Sequence, residues 1–432
     1  MSTRYALGVL LAINTLNFFD RQVLSAVAEP LRVEWRLSDA ELGALSTAFT
    51  LLYAFVGVPF GRLADTRTRR LILAGGCLAW SLLTALSGFA RGFWELFALR
   101  LGVGIGEASC APAANSLIGD LVPSERRARA LSIFMLGLPL GLALSYLVSG
   151  AIAEAYGWRA AFFVAGMPGM LVALAALAIE EPARTRVGLA PQKEAPYLRL
   201  LAIPTLLWII ASGALHNFNM YAISSFLSPF LMRYHGLSVG DAGLLSTLVY
   251  GVAGGIGLSL GGFLSDRMAA RRKDGRLLLC AGATLLSIPL TGLALRCRQG
   301  DAVGFAVFMA LAVLAMYVYY GSVYAAIQDV VPPTLRGTAL ALYFLGMYAL
   351  GASLGPFLTG LLSDRMTARA AARAGSVDLE AFRAEGLHAA FAVVPVLGVV
   401  LVGVLLAAAR AAPKDMRRLE TVTVKPSGAL LF

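Results

Sequence analysis

The chain has 432 residues, of which 58% are hydrophobic and only 14% are charged. This is too little polar surface to cover a soluble globule, so the composition predicts an integral membrane protein. The formal net charge is +11, but the basic residues gather between apolar segments. That pattern indicates membrane topology and gives little support to a nucleic-acid partner.

Twelve apolar stretches follow one another along the chain, each long enough to cross a bilayer. A spanning helix needs roughly 20 apolar residues, and irregular backbone cannot face lipid. The sequence therefore predicts an all-α membrane protein with 12 transmembrane helices. The stretches lie near residues 5–30, 40–63, 71–90, 94–119, 130–154, 160–180, 200–232, 241–265, 277–296, 302–328, 337–363 and 387–410.

Lys and Arg predict the orientation, because these residues stay on the cytoplasmic side of membrane proteins. With both termini inside, about twice as many of them lie inside as outside. The first stretch is not a secretory signal, since polar residues interrupt it and no small-residue cleavage site follows. We therefore predict a multi-pass protein of a bacterial-type inner (plasma) membrane.

The chain also repeats itself. LSDAELGALST at 37–47 returns as LSVGDAGLLST at 237–247, and DLVPSERR at 120–127 returns as DVVPPTLR at 329–336. A Gly is followed four residues later by an acid at four places and nowhere else, each near the end of a stretch: Gly61/Asp65, Gly150/Glu154, Gly262/Asp266 and Gly360/Asp364. Such repeats are typical of transporters.

These repeats predict two homologous halves, each built from two three-helix units. The N-terminal six-helix bundle covers 1–180 and the C-terminal one covers 200–410. A polar, Pro-rich segment at 181–199 is the predicted cytoplasmic linker, and 411–432 is a basic cytoplasmic tail. Ser38 and Glu41 have the spacing of a capping box, which marks the start of the second helix.

Two loops carry a family signature. GRLADTRTRR at 61–70 resembles the loop motif between helices two and three of the major facilitator superfamily, and GFLSDRMAARR at 262–272 is its echo between helices eight and nine. Thr66 departs from the family pattern, which usually has a basic residue there. The resemblance implies two pseudo-symmetric six-helix bundles made of 3+3 inverted repeats.

We expect a cytoplasmic gate at these loops. The acid can accept hydrogen bonds from a helix N-terminus or pair with nearby arginines; the alternative is a solvated turn with arginines placed by topology alone. The predicted gate residues are Gly61, Asp65, Arg69, Arg70, Arg129, Gly262, Asp266 and Arg267.

The first half also resembles the spinster group of lipid transporters. The resemblance rests on NTLNFFDR at 14–21, RLGVGIGEAS at 100–109 and the segment that follows to residue 134. It implies a lysophospholipid or a sphingoid phosphate as the substrate class. The second half matches mainly at the level of the superfamily.

Charges inside the stretches predict the site, because an ionisable group in hydrocarbon costs at least ~2.5 kcal/mol and so faces the bundle interior. We expect Asp20 and Glu107 to respond to protons, with Arg100 as substrate anchor or counter-ion and Arg21 beside them. The alternative is a permanent structural ion-pair network. The opposite wall is polar and aromatic, and the predicted substrate-binding residues are Asn17, Arg100, His216, Asn217, Asn219, Tyr221, Tyr317, Tyr320 and Tyr324.

The leading interpretation is a proton-coupled secondary transporter that moves an amphipathic, lipid-like solute by alternating access. A multidrug or organic-anion exporter is the alternative within transport, and a channel or a non-transporting sensor is the alternative outside it. The four cysteines lack metal or redox spacing, and no nucleotide-binding loop is present. We expect no enzyme activity, no cofactor and no metal; the expected partners of this monomer are the solute, protons and membrane lipids.

Overall fold

The computed structural model describes residues 3–182, 196–332 and 335–424. Helices are the only regular secondary structure in these ranges, and the long helices form twelve spans. Spans 1 to 6 are Thr3–Ala26, Asp39–Thr66, Arg69–Ser87, the pair Phe93–Glu107 and Cys110–Leu121, the pair Ser124–Met135 and Gly137–Tyr156, and Trp158–Leu177.

Spans 7 to 12 repeat this order in the second half. They are Pro204–His235, Val239–Ala269, Gly275–Arg296, Ala302–Val330, Arg336–Arg373 and Arg383–Val424. Spans 8 and 11 each contain a π-helical turn, at Thr247–Val252 and Met347–Ala352. The predicted all-α membrane protein with twelve spanning helices is confirmed.

Within the described residues, nine of the spans contain a helix long and apolar enough to cross a membrane. The other three are spans 1, 4 and 7. These are also the spans that carry most of the polar residues singled out from the sequence. Polar side chains lower the mean hydropathy of the spans that hold them, so the least apolar spans are expected to line the site.

The two halves meet along three pairs of spans. Span 2 packs against span 11, span 5 packs against span 8, and spans 1 and 7 contact each other at the centre. Spans 3 and 6 pack together at the outside of the first half, as spans 9 and 12 do in the second. Large apolar side chains such as Leu171, Phe263 and Val399 are more than half exposed on the outer faces, as expected where lipid replaces water.

Span 2 begins as predicted. The Ser38 side chain accepts a hydrogen bond from the backbone nitrogen of Glu41, and the Glu41 carboxylate accepts one from the backbone nitrogen of Ser38. The capping box is therefore confirmed. Ser238 caps the start of span 8 at the equivalent position of the repeat, where its side chain accepts from the backbone nitrogen of Asp241.

Two boundaries differ from the sequence prediction. Span 11 continues as a helix to Arg373, through an Ala- and Arg-rich segment beyond the stretch predicted at 337–363. Alanine and arginine favour helix, so the Ala-Arg segment extends the span. Span 12 continues to Val424, and its Asp415 accepts hydrogen bonds from the backbone nitrogen and the hydroxyl of Thr205 at the start of span 7. Most of the predicted linker, 183–195, and residues 425–432 lie outside the described residues.

Candidate functional site

A buried charge cluster lies inside the first half, between spans 1 and 4. The guanidinium of Arg21 pairs with the carboxylate of Glu107, Nε to Oε2 at 2.9 Å, and donates from Nη2 to Asn17 Oδ1 at 3.0 Å. Arg100 donates from Nη1 to the backbone oxygen of Asp20 at 3.3 Å. All four ionisable residues are at most 8% exposed. The structure thus brings together the four residues that the sequence predicted for coupling.

The pairing inside this cluster could not be read from helical spacing. Arg100 and Glu107 share span 4, yet Glu107 pairs with Arg21, which is 86 residues away in the chain. The carboxylate of Asp20 accepts a hydrogen bond from the hydroxyl of Thr84 on span 3, at 3.2 Å. Thr84 was not among the predicted residues, because a hydroxyl in an apolar helix gives no distinctive signal.

The cluster is only partly satisfied. Two acids and two arginines cancel in formal charge. However, Asp20 Oδ1, Glu107 Oε1 and Arg100 Nε find no hydrogen-bond partner among the described residues. A buried polar atom without a partner is costly, and ionisable groups in membrane spans are typical of functional sites.

Arg21 is the point at which the cluster meets the second half. Its guanidinium carbon lies 4.3 Å from the ring centre of Tyr53 and 4.7 Å from that of Phe18. Its Nη1 donates to the hydroxyl of Tyr348 on span 11 at 3.4 Å, and the rings of Tyr53 and Tyr348 lie 5.0 Å apart. Neither tyrosine was predicted, because neither stands out in its apolar segment by charge.

The second half presents an aromatic wall along span 10. Tyr317 and Tyr320 have ring centres 5.6 Å apart, and Tyr320 and Tyr324 are 6.2 Å apart. The hydroxyl of Tyr320 donates to Asn217 Oδ1 on span 7 at 3.0 Å. Tyr221 lies near Tyr348, with ring centres 6.4 Å apart. The predicted Tyr317, Tyr320, Tyr324 and Asn217 therefore form one connected group, and the predicted Tyr221 contacts Tyr348, which was not predicted.

Two other predicted residues of span 7 point into their own bundle. Asn219 donates from Nδ2 to the backbone oxygen of Val394 on span 12, at 3.1 Å. The ring of His216 stacks on Tyr319 with 4.0 Å between centres. Both residues are almost completely buried, so their contacts lie within the second half and not against the charge cluster.

The cytoplasmic ends carry a second set of ion pairs. In the first half, Arg69 pairs with Asp120 and, from Nε, with Glu181 at 2.8 Å. In the second half, Arg276 pairs with Asp266 at 2.9 Å and with Asp329 at 3.0 Å. Both clusters brace a loop within one half. Of the other predicted gate residues, Arg129 and Arg267 are exposed, and the surroundings of Gly61 and of the Asp65 side chain are not described.

Glu181 caps the start of span 3. Its carboxylate accepts hydrogen bonds from the backbone nitrogens of Arg69 and Arg70 at 3.1 and 3.0 Å. Burial raises the pKa of Glu181, but the hydrogen bonds from the Arg69 side chain and these two nitrogens outweigh it, so the pKa lies below the ordinary value of 4.5. A carboxyl with a lowered pKa stabilises the fold above its ordinary pKa and loses that effect as pH falls.

We therefore expect Glu181→Gln to lower the melting temperature in detergent at pH 7 and to have a smaller effect near pH 4. The stabilisation depends on the ionised carboxylate, which wild type loses as pH falls through its lowered pKa. Melting curves of both proteins at the two pH values check this, with the exposed Glu385→Gln as control. An equal difference at both pH values would contradict a role for the ionised group.

At the extracellular end, ion pairs join the two halves. Arg233 on span 7 binds Glu29 at 2.6 Å and Asp39 at 2.9 Å, both in the first half. Arg32, just after span 1, binds Glu29 at 2.9 Å and Glu380 of the second half at 3.0 Å. Glu29, Arg32, Asp39 and the side chain of Arg233 are buried. We call these five residues the extracellular latch; sequence reasoning missed it, because charges at helix ends were assigned to topology.

The two extracellular Gly-to-acid pairs lie at the same end. Asp364 on span 11 accepts hydrogen bonds from the backbone nitrogens of Asp39 and Ala40 at the start of span 2, at 3.0 and 2.9 Å. Glu154 on span 5 accepts one from the Ser238 hydroxyl at the start of span 8, at 3.1 Å. In each case the acid of one half faces the positive end of a helix in the other. The Gly-to-acid repeat thus makes equivalent contacts at two symmetry-related places between the halves.

The glycine of each pair allows this close approach. A Cβ at Gly360 would overlap the backbone oxygen of Asp39. We therefore expect Gly360→Val to force spans 2 and 11 apart at the extracellular end. The readout is the labelling rate of Ser363→Cys, a fully buried position, with a membrane-impermeant maleimide.

The matched control is Gly119→Val, because a Cβ at Gly119 meets no atom within 4 Å. It tests the effect of a β-branched residue in a helix without the clash. Faster labelling is expected with Gly360→Val alone. Equal rates in both variants would show that the contact does not hold the spans together.

Known proteins share these sequence features. The family model of the Major Facilitator Superfamily matches residues 10–356 and 212–422. The chain is 33% identical over 366 residues to an MFS-type efflux pump of Mycolicibacterium smegmatis, covering 84% of this chain and 85% of that protein. It is 30% identical over 384 residues to protein spinster homolog 1 of Homo sapiens, covering 83% and 72%.

Solved structures share the fold of this chain. The chain superposes on a bacterial homolog of the human lysosomal transporter spinster, in an inward-facing and unoccupied conformation, with a TM-score of 0.87 at 30% identity over 96% of this chain and 99% of that one. A nucleoside transporter shares the fold with a TM-score of 0.75 at 12% identity. The chain therefore belongs to the Major Facilitator Superfamily and is a spinster-related, multi-pass transporter of the inner membrane.

Proposed function

We propose that this transporter moves an amphipathic, lipid-like anion of the lysophospholipid or sphingoid-phosphate type, coupled to protons, by alternating access. The observation that carries the proposal is the position of Arg21. It pairs with a buried acid, Glu107, on one side and reaches Tyr348 of the other half on the other side.

This position supports a simple exchange. With Glu107 ionised, Arg21 is neutralised within the first half. When Glu107 takes up a proton, the buried guanidinium loses its counter-ion, and an anionic headgroup between the halves can replace it. Substrate and proton then act on the same arginine, which links protonation to binding. Asp20 and Arg100 form the second layer of this cluster, and Arg100 supplies further positive charge for the headgroup.

The aromatic wall supports an amphipathic solute. Tyr317, Tyr320 and Tyr324 lie in a row along span 10 of the second half, and tyrosines offer large apolar faces with polar tips. An acyl or sphingoid chain lies against this wall while its phosphate faces Arg21. Among the named relatives, spinster homolog 1 carries the same group name as the lipid transporters that the sequence resembles.

The latch supports alternating access. Ion pairs and helix-end contacts close the extracellular side, so solute and proton reach the site from the cytoplasm in this conformation. The converse conformation requires the latch to open and the cytoplasmic ends to meet. For that state we propose the gate residues Gly61, Asp65, Arg69, Arg70, Arg129, Gly262, Asp266 and Arg267.

A binding screen on purified protein tests the substrate class. We expect a lysophospholipid with an anionic headgroup to bind and the same lipid with a neutral headgroup to bind more weakly. Arg100→Ala should weaken anion binding by at least roughly tenfold, since charge-assisted hydrogen bonds contribute about 1.5–3 kcal/mol. The exposed Arg298→Ala is the control. If no amphiphile binds, or if Arg100→Ala leaves binding unchanged, the assignment fails.

An exporter of drugs or organic anions is the second candidate. It is favoured by the 33% identity to a protein named as an efflux pump. Hydrophobic cations in the same screen separate the two, because a site built around Arg21 and Arg100 disfavours positive charge. Tighter binding of hydrophobic cations than of lysophospholipids would favour the exporter. In either case we propose a monomer surrounded by membrane lipid.

A further inference from the structure

A small cavity lies inside the second half, away from the charge cluster. About 10 Å³ of it can hold the centre of a water-sized molecule, which is the space that one water needs. Spans 7, 9, 10 and 12 surround it. Its polar lining consists of His216, Asn219, Thr284, Ser287 and Thr291.

Two buried atoms at this cavity lack partners. His216 Nε2 and Asn219 Oδ1 have no hydrogen-bond partner among the described residues, and both residues are at most 2% exposed. The amide nitrogen of Asn219 is already committed to Val394. The hydroxyls of Ser287 and Thr291 donate back to their own helix, at 2.7 and 2.9 Å, so their lone pairs remain free to accept.

We propose that one water molecule is bound in this cavity, where it bridges span 7 to spans 9 and 12. It donates a hydrogen bond to Asn219 Oδ1 and forms a second one with His216 Nε2, as donor or acceptor according to the tautomer of the imidazole. A buried water is stable when it has two to four polar partners, and this lining supplies them. No group of three His, Cys, Asp or Glu side chains that could hold a metal ion occurs in the described residues, and no carboxylate lines this cavity, so a metal ion is not the proposed occupant.

The water gives His216 and Asn219 a role other than contact with the solute. His216 stacks on Tyr319 and meets Tyr320 edge-on, with 5.0 Å between ring centres. Tyr320 in turn donates to Asn217. By holding the imidazole of His216 in one orientation, the water also keeps Tyr319 and Tyr320 of span 10 in place. This inference does not depend on which solute is carried or on whether protons are coupled to it.

Radiolytic labelling in H₂¹⁸O tests the site, because an X-ray pulse activates bound water and oxidises the side chains beside it. Met316 lines the cavity. Met309 lies two turns away on the same span, is also buried, and does not line it, so it is the internal control. We expect Met316 to gain ¹⁸O several-fold faster than Met309 in wild type. Equal rates would overturn the proposal.

The Asn219→Leu variant provides the second arm. It removes one of the two unpartnered atoms and fills space with an apolar group, so the water is lost. We expect Met316 labelling to fall to the rate of Met309 in this variant. If Met316 is labelled fast in wild type and equally fast in a folded Asn219→Leu protein, the oxidation comes from elsewhere and the bound water is refuted. If the variant does not fold, the comparison of Met316 with Met309 in wild type still tests the proposal.

Discussion

Replacing Arg233 by Leu is expected to open the extracellular side of the transporter. The substitution leaves the buried carboxylate of Asp39 without its cation and leaves Glu29 paired with Arg32 alone. Loss of one partner from a buried ion pair costs about 3–5 kcal/mol, and only the extracellular-closed conformation bears this cost. A difference of about 3 kcal/mol shifts the ratio of the two conformations on the order of 100-fold.

Distances between spin labels at Arg91→Cys and Arg298→Cys measure this shift, with the half-buried Cys297 replaced by Ser. The two positions are exposed at the extracellular ends of the first and second half. We expect a longer distance in Arg233→Leu. Adding Asp39→Asn should restore part of the short distance, because the unpaired charge is then gone. An unchanged distribution in Arg233→Leu would mean that the latch does not set the conformation.

Glu107→Gln is expected to abolish proton-driven accumulation. If one proton moves with each solute, a gradient of one pH unit supports about tenfold accumulation. The side-chain amide of this variant can still accept a hydrogen bond from Arg21, but it cannot take up or release a proton. We therefore expect accumulation under a pH gradient to fall to the level seen without one.

The exchange of labelled for unlabelled solute, at equal pH on both sides, is the control for this variant. Exchange needs binding and movement of the halves but no net proton transfer, so it should persist in Glu107→Gln. The exposed Glu385→Gln should keep both activities. Proton-driven accumulation that survives in Glu107→Gln would assign the proton to another group, with Asp20→Asn as the next variant.

The fold could be predicted from the sequence because a bilayer leaves few alternatives. Twelve apolar stretches, two internal repeats and the loop motif at 61–70 were enough to give the architecture and the family. Asp20, Arg21, Arg100 and Glu107 could be found because a charge in an apolar helix is rarely accidental. We expected them to lie close together in the bundle interior, because each of them must be shielded from lipid.

The partners of these residues could not be predicted. Arg21 pairs with Glu107 and not with its neighbour in sequence, because the packing of spans 1 and 4 decides which side chains meet. Tyr53, Thr84 and Tyr348 carry no charge and so gave no signal.

The extracellular latch was hidden for a different reason. Arg233 and Asp39 lie at helix ends, where charges normally face water. Only the contact between the halves buries them.

Proton and solute fluxes measured in the same liposomes test the central claim most directly. A fluorescent lysophospholipid with an anionic headgroup is loaded on one side and extracted with albumin on the other, while an internal dye reports pH. The proposal predicts a proton flux in constant ratio to a saturable lipid flux in wild type, and lipid exchange without proton flux in the Asp20→Asn/Glu107→Gln double variant. Lipid flux in wild type that moves no protons would contradict it.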